Sequence, residues 1–563
     1  MLYGFPERGQ RRPQGWRAWY SLQKPRWRIE LSQFAILWMA VLAVAVYFRF
    51  SQLAQVPPEM NSDHAEKLLD VVDILDGQYS IFFPRNTGRE PLQFYLIALT
   101  AQVFGAGVSF MSMKIGTALA GLLALPFIYL AGKEIANRQA GLLAMAFAGI
   151  AAWPNILARV ALRFSFYPLF VASALYFLLR GLRSGRRNDF ILTGLSLGLG
   201  LLGYTPIRIL PFVIAAAMIL FLLHYPGPNP RQRVLFGLAL VAFFAFAVAL
   251  PLLRFAQDNP EIFAYRAFSR ITDLDRPLPQ PAGIIFLDNL KNAMLMFGWN
   301  DGLIWPISIP NRPALDVISA ALFYLGLALL IVRYLRQRKW EDLFLLLAVP
   351  LLMLPSILSL AFPLENPAPN RASGAMFAVF LIIGLSLDGL LNSLKSRRLA
   401  GLATIILFGI AAAQNHSLVF IQYQEQYALS AWNTSEMGRA LSRFAATTGS
   451  LESSWVVKSA HWVDTRLVGI HAGSPKRDFG IDLVDIPATI SDTGPKLFLV
   501  RHFARPEDRS EEEQALLILT QVYPMGWAQM YSSRYSGKDF WMFFVPPVIP
   551  GLQTPLYPEN TTP

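Results

Sequence analysis

The 563-residue chain contains no cysteine. That excludes a disulfide framework, a thiolate metal site and a cysteine nucleophile. Charge is scarce as well. Asp, Glu, Lys and Arg supply 15% of the residues and hydrophobic residues 54%, where a soluble domain carries ~25% and ~45–50%. The apolar excess lies in blocks, which rules out a disordered chain, a collagen-like chain and an ordinary cytosolic enzyme. The formal charge of +12 could suggest nucleic acid. No basic run is interleaved with aromatics, as a base-stacking surface requires, so no nucleic-acid partner is expected. Lys and Arg gathered in cytoplasmic loops of a membrane protein account for the sign better. The six histidines are scattered, and His461 and His471 lack metal-ligand spacing. No solenoid repeat is present.

What is there instead is a series of spans. A hydrocarbon core needs about 20 mainly apolar residues per helix. Windows at 32–50, 112–131, 140–153, 166–180, 190–204, 206–223, 233–254, 314–334, 342–361, 374–392 and 399–414 qualify or nearly do. From residue 416 onward no such window follows. The fold class expected is an all-α polytopic membrane protein with about 11 transmembrane helices. A small α/β domain should follow at 416–563, with strands at 454–459, 497–503 and 539–545. Its helix at 511–522 opens on a Ser510/Glu513 capping pattern, and Ser536-Gly537-Lys538 supplies a turn.

Charge sets the orientation. The segment 1–31 holds seven basic residues from Arg8 to Arg28, so the N-terminus is expected in the cytoplasm. No small-residue cleavage site follows the first span, so it reads as an uncleaved anchor. The basic loops at Lys133/Arg138, Arg180–Arg187, Arg231/Arg233, Arg333–Lys339 and Lys395–Arg398 pair the later spans on the same side. Parity then places 91–107 at the outer membrane face, with 112–131 as the crossing. The outer surface becomes 51–111, 153–165, 255–313, 362–373 and the C-terminal domain. The expected location is the plasma membrane, with the C-terminal domain outside the cytoplasm.

Unusual residues cluster on that face. Residues 62–77 form an amphipathic helix suited to the membrane surface, with Ala65, Leu68, Leu69, Val72 and Leu75 as its apolar stripe. Asp63 stands at its start, placed to take a proton from a hydroxyl. Asp63 with Glu66 three residues later is equally a capping pattern, and the two roles are compatible. Gly88-Arg89-Glu90-Pro91 opens the next apolar segment. Arg89 and Glu90 could pair with each other or point into a polar cavity. Arg159 and Arg163, at i and i+4, should share one helical face. Arg208 lies in the turn Tyr204–Arg208, and Glu365 and Arg371 precede a late span. Arginines outside oppose the charge bias. They either snorkel to lipid phosphates or converge on a bound phosphate. Gly194 and Gly198 lie inside a span at a spacing suited to close helix contact, not to a nucleotide loop.

These motifs, in this order, resemble the GT-C class of integral-membrane glycosyltransferases. The similar branch is that of the protein O-mannosyltransferases and the lipid A aminoarabinose transferase. The carrying residues are Asp63-His64-Ala65-Glu66, Gly88 through Leu92, Arg159 and Arg163 with Pro168, Tyr204 through Arg208, Asn300-Asp301 with Asn311-Arg312-Pro313, and Glu365 to Arg371. The resemblance spans roughly residues 30–415. It implies a polyprenyl-phosphate sugar donor in the bilayer and an acceptor on the outer face. It also implies inversion at the anomeric carbon with Asp63 as base, Glu66 being the second catalytic candidate. Arg371 and Arg208, then Arg163 and Arg89, are the candidates for the donor phosphate. Glu90, Asp301 and Glu365 are further site candidates. His64 stands where relatives carry a second acid, and 153–165 contains no acid. Metal dependence is therefore open, a divalent cation being the candidate cofactor. A lipid or sugar transporter or flippase is the rival. It predicts charges within the spans, and these windows hold almost none. A scaffold whose outer domain binds a partner is the third reading.

Overall fold

The computed structural model describes residues 32–547 apart from 86 and 226–228. The basic segment 1–31 lies outside the described residues. The chain divides into two compact units, residues 1–40 and 41–563. The described part of the first is the beginning of helix α1 (Gln33–Phe50).

After α1 come α2 (Ser62–Leu75), α3 (Leu92–Val103), α4 (Phe110–Ile135), α5 (Arg138–Ile150) and α6 (Ala152–Arg159). Then follow α7 (Phe166–Ser184), α8 (Arg187–Leu201), α9 (Leu210–His224), α10 (Pro230–Asp258), α11 (Pro260–Ile271) and α12 (Ala282–Leu295). The helical part closes with α13 (Val317–Gln337), α14 (Trp340–Ile357), α15 (Met376–Ser393), α16 (Arg397–Ser417) and α17 (Tyr423–Ser430). Among the described residues, nine helical stretches are long and apolar enough to cross a membrane, and the α5–α6 pair, bent by 53°, makes a tenth. The eleventh expected window is α8, a 15-residue helix of about 22 Å at 1.5 Å per residue. It is shorter than a ~30 Å core, yet it leads from the Arg180–Asp189 ion pair at the far end of α7 back to the Tyr204–Arg208 turn beside Arg163, so it spans the bundle as α7 does. Helix α3 has 12 residues, about 18 Å long by the same rise, too short to cross. Gly194 and Gly198 do serve close contact. A Cβ there would stand 2.7 Å from the Val241 carbonyl oxygen and 2.6 Å from the Val248 Cβ of α10.

Two expectations change at α2. Its apolar face is covered by protein, not lipid. Ala65, Leu68, Val71 and Ile74 pack with Phe94 and Ile97 of α3 and with Leu467 and Ile470 of the C-terminal domain, while Leu75 is exposed. Its cap is Asn61, whose side chain accepts the Asp63 N–H. The reciprocal member of the capping box is His64, whose Nδ1 accepts the Asn61 N–H at 3.0 Å. Asp63 and Glu66 are thereby released from capping.

The last helical stretch continues to Ser430 through a π-turn at Leu418–Gln422, so the sheet domain begins near Thr434 and not at 416. Helix α18 (Thr434–Thr447) leads into strands β1 (Ser454–Val457), β2 (Gly480–Ile481), β3 (Lys496–Arg501), β4 (Trp527–Tyr531) and β5 (Phe540–Val545), ordered β2-β1-β3-β5-β4. β1 pairs in parallel with β2 and β3, whereas β5 is antiparallel to β3 and β4. Helices α19 (Thr465–His471) and α20 (Ser510–Val522) complete it. β2 and β4 escape the sequence pattern because one is two residues long and the other is an exposed edge without an apolar run. The expected Ser510/Glu513 box does not form, because Ser510 lies inside α20, whose cap position is Arg509 with no side-chain bond.

Candidate functional site

The first loop is built to present polar groups from buried backbone. Phe83 and Arg89 exchange backbone hydrogen bonds, Phe83 N–H to Arg89 O at 2.9 Å and the reverse at 2.8 Å. Gly88 closes that turn at φ +84°, and a Cβ there would stand 2.4 Å from the Phe82 ring. A side chain at 88 would thus meet both strain and a clash. Arg89 and Glu90 leave the turn in different directions and do not pair. Arg89 Nη2 lies 3.5 Å from Asp63 Oδ1. The fully buried Glu90 accepts Arg163 Nη1 at 2.8 Å and Arg208 Nη2 at 3.3 Å.

Arg159 and Arg163 do not share a face. The helix stops after Arg159, and Ala161 takes a φ of +62°. His64 Nε2 donates to the Val160 carbonyl at 2.7 Å and Gln93 Nε2 to the Ala161 carbonyl at 2.9 Å, which fixes the reversal. Arg159 consequently points back to the carbonyls of Phe48, Ser51 and Val56, and Arg163 points the other way, to Glu90.

These groups open on a cavity of about 520 Å³. Asp63, Lys67, Arg89, Arg163, Arg208, Arg266, Arg270, Glu365 and Arg371 line it, beside Tyr204, Asn370 and apolar residues such as Ile304, Pro306 and Leu358. Glu365 Oε2 accepts Arg270 at 2.6 Å and both terminal nitrogens of Arg371 at 3.0 Å. Arg208 lies 4.0 Å over the Phe263 ring of α11, and Arg163 lies 5.1 Å over Tyr204. Seven cationic side chains line the cavity against two carboxylates. With Glu90 included, an excess of four positive charges remains. Such a pocket is built for an anion.

Asp63 is the carboxylate turned into this field, with its side chain half exposed to the cavity. Lys67 beside it holds its carboxyl below the ordinary 3.8, against the effect of burial; His64, Arg266 and Arg163 act in the same direction as Lys67. Burial lowers Lys67 to about 8, His64 to about 4 and Arg266 to about 10. Burial also lowers Arg371, with Arg270 adding to the effect.

Of the residues singled out from sequence, the fold brings together Asp63, Arg89, Glu90, Arg163, Arg208, Glu365 and Arg371. Glu66 and Asp301 stay outside. Glu66 points toward the C-terminal domain, where Arg466 binds it at 2.5 Å. Asp301 is buried behind Ile307, its N–H donated to the Arg312 carbonyl at 2.7 Å. Burial raises its carboxyl well above the ordinary value. Lys67, Arg266 and Arg270 were not singled out. The signal for the last two was present. Arg266 and Arg270 stand at i and i+4 on α11, opposite the exposed Phe268.

The donor set does not suit a divalent cation. Among the described residues no three His, Asp or Glu groups converge. The two lining carboxylates are each already beside cations, Asp63 with Lys67 and Arg89, Glu365 with Arg270 and Arg371. Hard cations take several oxygen ligands, and this cavity offers them repulsion.

The chain is similar to known proteins in sequence and in fold. Residues 88–253 match the family model described as dolichyl-phosphate-mannose-protein mannosyltransferase, a stretch that includes Arg89, Glu90, Arg163 and Arg208. No curated protein sequence matches significantly. Among solved structures, ArnT from Cupriavidus metallidurans in the apo state aligns with a TM-score of 0.55 at 12% identity, over 90% of this chain and 97% of that one. ArnT from the same organism bound to undecaprenyl phosphate gives 0.54 at 13%, with the same coverage. The apo oligosaccharyltransferase of Archaeoglobus fulgidus gives 0.50 at 15%, over 88% of this chain and 69% of that one. In the zinc and sulfate complex of that oligosaccharyltransferase the chain covers 61% of the other's length. The fold class these comparisons give is the one that the motifs implied.

Proposed function

We propose that this chain, which has the GT-C fold of integral-membrane glycosyltransferases, moves a sugar from a polyprenyl-phosphate donor to an acceptor hydroxyl. What carries the reading is one cavity in which a carboxylate held ionised, Asp63, faces a set of buried arginines. The family matched over 88–253 and the undecaprenyl phosphate named with the ArnT neighbour support the donor class.

The chemistry then divides between two groups of side chains. Asp63 takes the acceptor's hydroxyl proton as its oxygen attacks the anomeric carbon. The bond from that carbon to the phosphate oxygen breaks, and the phosphate leaves with the electron pair. Attack from the side opposite the leaving group inverts the carbon. Arg371 and Arg270 around Glu365, and Arg163 and Arg208 around Glu90, hold the phosphate as it gains charge. Glu90 and Glu365 fix the guanidinium planes before the donor arrives, so little reorganisation is left for the transition state. Orientation follows the charge bias, with the cavity and the C-terminal domain on the outer face of the plasma membrane.

The test is purified protein in lipid with polyprenyl-phosphate-linked sugars and candidate acceptors. Release of polyprenyl phosphate and an inverted anomeric configuration in the product are expected. Asp63→Asn keeps the size and cannot accept a proton. It should lower the rate by about 10²–10⁴-fold, the scale of general-base help. Because Asn61 is the cap, Asp63→Asn should leave helix α2 formed, and the rate is compared in folded, membrane-inserted protein. A fully active Asp63→Asn protein would move the base elsewhere. A transporter would move intact lipid-linked sugar in both proteins without releasing phosphate.

A further inference from the structure

Among the cations around Asp63, Lys67 acts on it most strongly. It lies one helical turn on, with its side chain 4% exposed, and its ammonium donates to the Asp63 backbone carbonyl at 2.6 Å while standing 3.8 Å from Asp63 Oδ1. Burying a lysine is costly unless its charge is used. Asp70, the second carboxylate acting on Lys67, is held by Arg85 at 2.7 Å and does not line the cavity.

We propose that Lys67 is a positioning residue of the transfer reaction, its fixed ammonium doing at Asp63 what a bound divalent cation would otherwise do. This rests on the functional reading above. The ammonium has three protons in a tetrahedral array. The proton given to the Asp63 carbonyl anchors the nitrogen to the same residue whose carboxylate it serves, so cation and base cannot drift apart. Arg89 approaches the same carboxylate oxygen from the hairpin, at 3.5 Å. Two cations within 4 Å of one carboxylate oxygen repel a metal ion there. They also keep Asp63 deprotonated and directed into the cavity without a metal. The charged and titratable groups facing Asp63 are His64 and Lys67 on its own helix, Arg89 on the hairpin, Arg163 before α7, Arg266 on α11 and Tyr427 on α17. Lys67 has the largest effect of those that lower its carboxyl. Its own loss of charge near pH 8 gives a marker that no arginine shares.

The experiment is an infrared titration of Asp63 in the full-length protein, its bands assigned by their loss in Asp63→Asn. In Lys67→Met the protonation of Asp63 should move upward by about one pH unit or more, the effect of removing an adjacent opposite charge. An unchanged titration in a folded Lys67→Met protein overturns the proposal. Should Lys67→Met fail to fold, Lys67→Arg decides. The wild-type carboxylate band should respond near pH 8 as the ammonium deprotonates, and that response should vanish in the arginine variant. Its persistence overturns the proposal. These readouts need no sugar transfer, so they stand or fall apart from the proposed function. Where transfer is measured, wild-type rate should be the same with a chelator as with added magnesium, manganese or zinc. Transfer that requires one of these ions overturns the proposal while leaving the enzymatic reading intact.

Discussion

Arg371 places both terminal nitrogens on a single oxygen of Glu365, so its guanidinium is oriented before any ligand binds. Arg371→Ala should raise the KM for the lipid-linked donor at least ~10-fold, a loss of ~1.5–3 kcal/mol for one charge-assisted contact. Arg371→Lys should recover only part, because a point charge cannot reproduce a planar fork. Donor kinetics unchanged in Arg371→Ala combined with Arg208→Ala would place the phosphate elsewhere. Glu66 is the contrasting residue. Its ion pair with Arg466 is partly solvated on both sides. Glu66→Gln should cost no more than about 1 kcal/mol of stability and leave transfer rates unaltered, read by thermal unfolding and by turnover of the same preparation. A rate loss on the scale of Asp63→Asn would return Glu66 to the catalytic machinery.

Helix α2 is the element on which the site depends, and its start is tied down from three sides. Asn61 and His64 close the cap. Glu59, fully buried, accepts the Ser435 N–H at 3.0 Å and its hydroxyl at 2.6 Å, joining the chain before α2 to the C-terminal domain. His64 also holds the reversal that aims Arg163, through Val160. That bond sets a pH dependence. Burial lowers His64 from 6.5 to about 4, so the folded state resists protonation more than the unfolded one. Its contribution to stability is complete above pH 6.5 and is lost as pH falls through 4, on the order of 3 kcal/mol in all. Thermal unfolding of the detergent-solubilised protein between pH 7 and 4 should show this loss, and His64→Gln should flatten it. Equal slopes in the two proteins would mean that His64 is not held neutral. Much of α2 was legible in the sequence: its extent, its amphipathic face and its acid at the start. The capping residue was not, since Asn61 and Asp63 are comparable caps by type and only the backbone's entry angle selects between them. Nor was the partner of the apolar face, because a stripe of Ala, Leu and Val reads the same toward lipid as toward Leu467 and Ile470.

For the molecule as a whole, the spans and the cavity define a question of sidedness. The charge bias of the paired basic loops predicts a cytoplasmic N-terminus, with the 255–313 loop and the C-terminal domain outside. Reporter fusions at residues 185, 285 and 500 should read inside, outside and outside. An inside signal at 285 would turn over the site as well, since Arg266 and Arg270 of α11 line the cavity. The C-terminal domain cannot be on the opposite side from α2. Lys476 reaches Asp76 at 2.5 Å, Arg466 reaches Glu66, and Ser435 holds Glu59. A reporter at 500 that disagreed with one in the 255–313 loop would therefore contradict the structure itself.

Composition and period settle the helices. Long apolar windows dictate helices, because every backbone polar group in hydrocarbon must be satisfied within its own segment. The lack of charge inside those windows left the polar residues at their ends, so Asp63, Glu90, Arg163, Arg208, Glu365 and Arg371 could be picked out one by one. The tertiary structure decided which of them meet. Arg159 and Arg163 share a spacing, yet one binds loop carbonyls and the other lines the cavity, because Ala161 adopts a positive φ that four-residue spacing does not reveal. Glu90 selects Arg163 and Arg208 over its neighbour Arg89 because a hairpin closed at Gly88 sends consecutive side chains opposite ways. Lys67, Arg266 and Arg270 become site residues only when helices far apart in sequence are packed around one space. An ion pair is a property of distance, and distance between residues 63 and 371 is written in the packing of the spans, not in either residue.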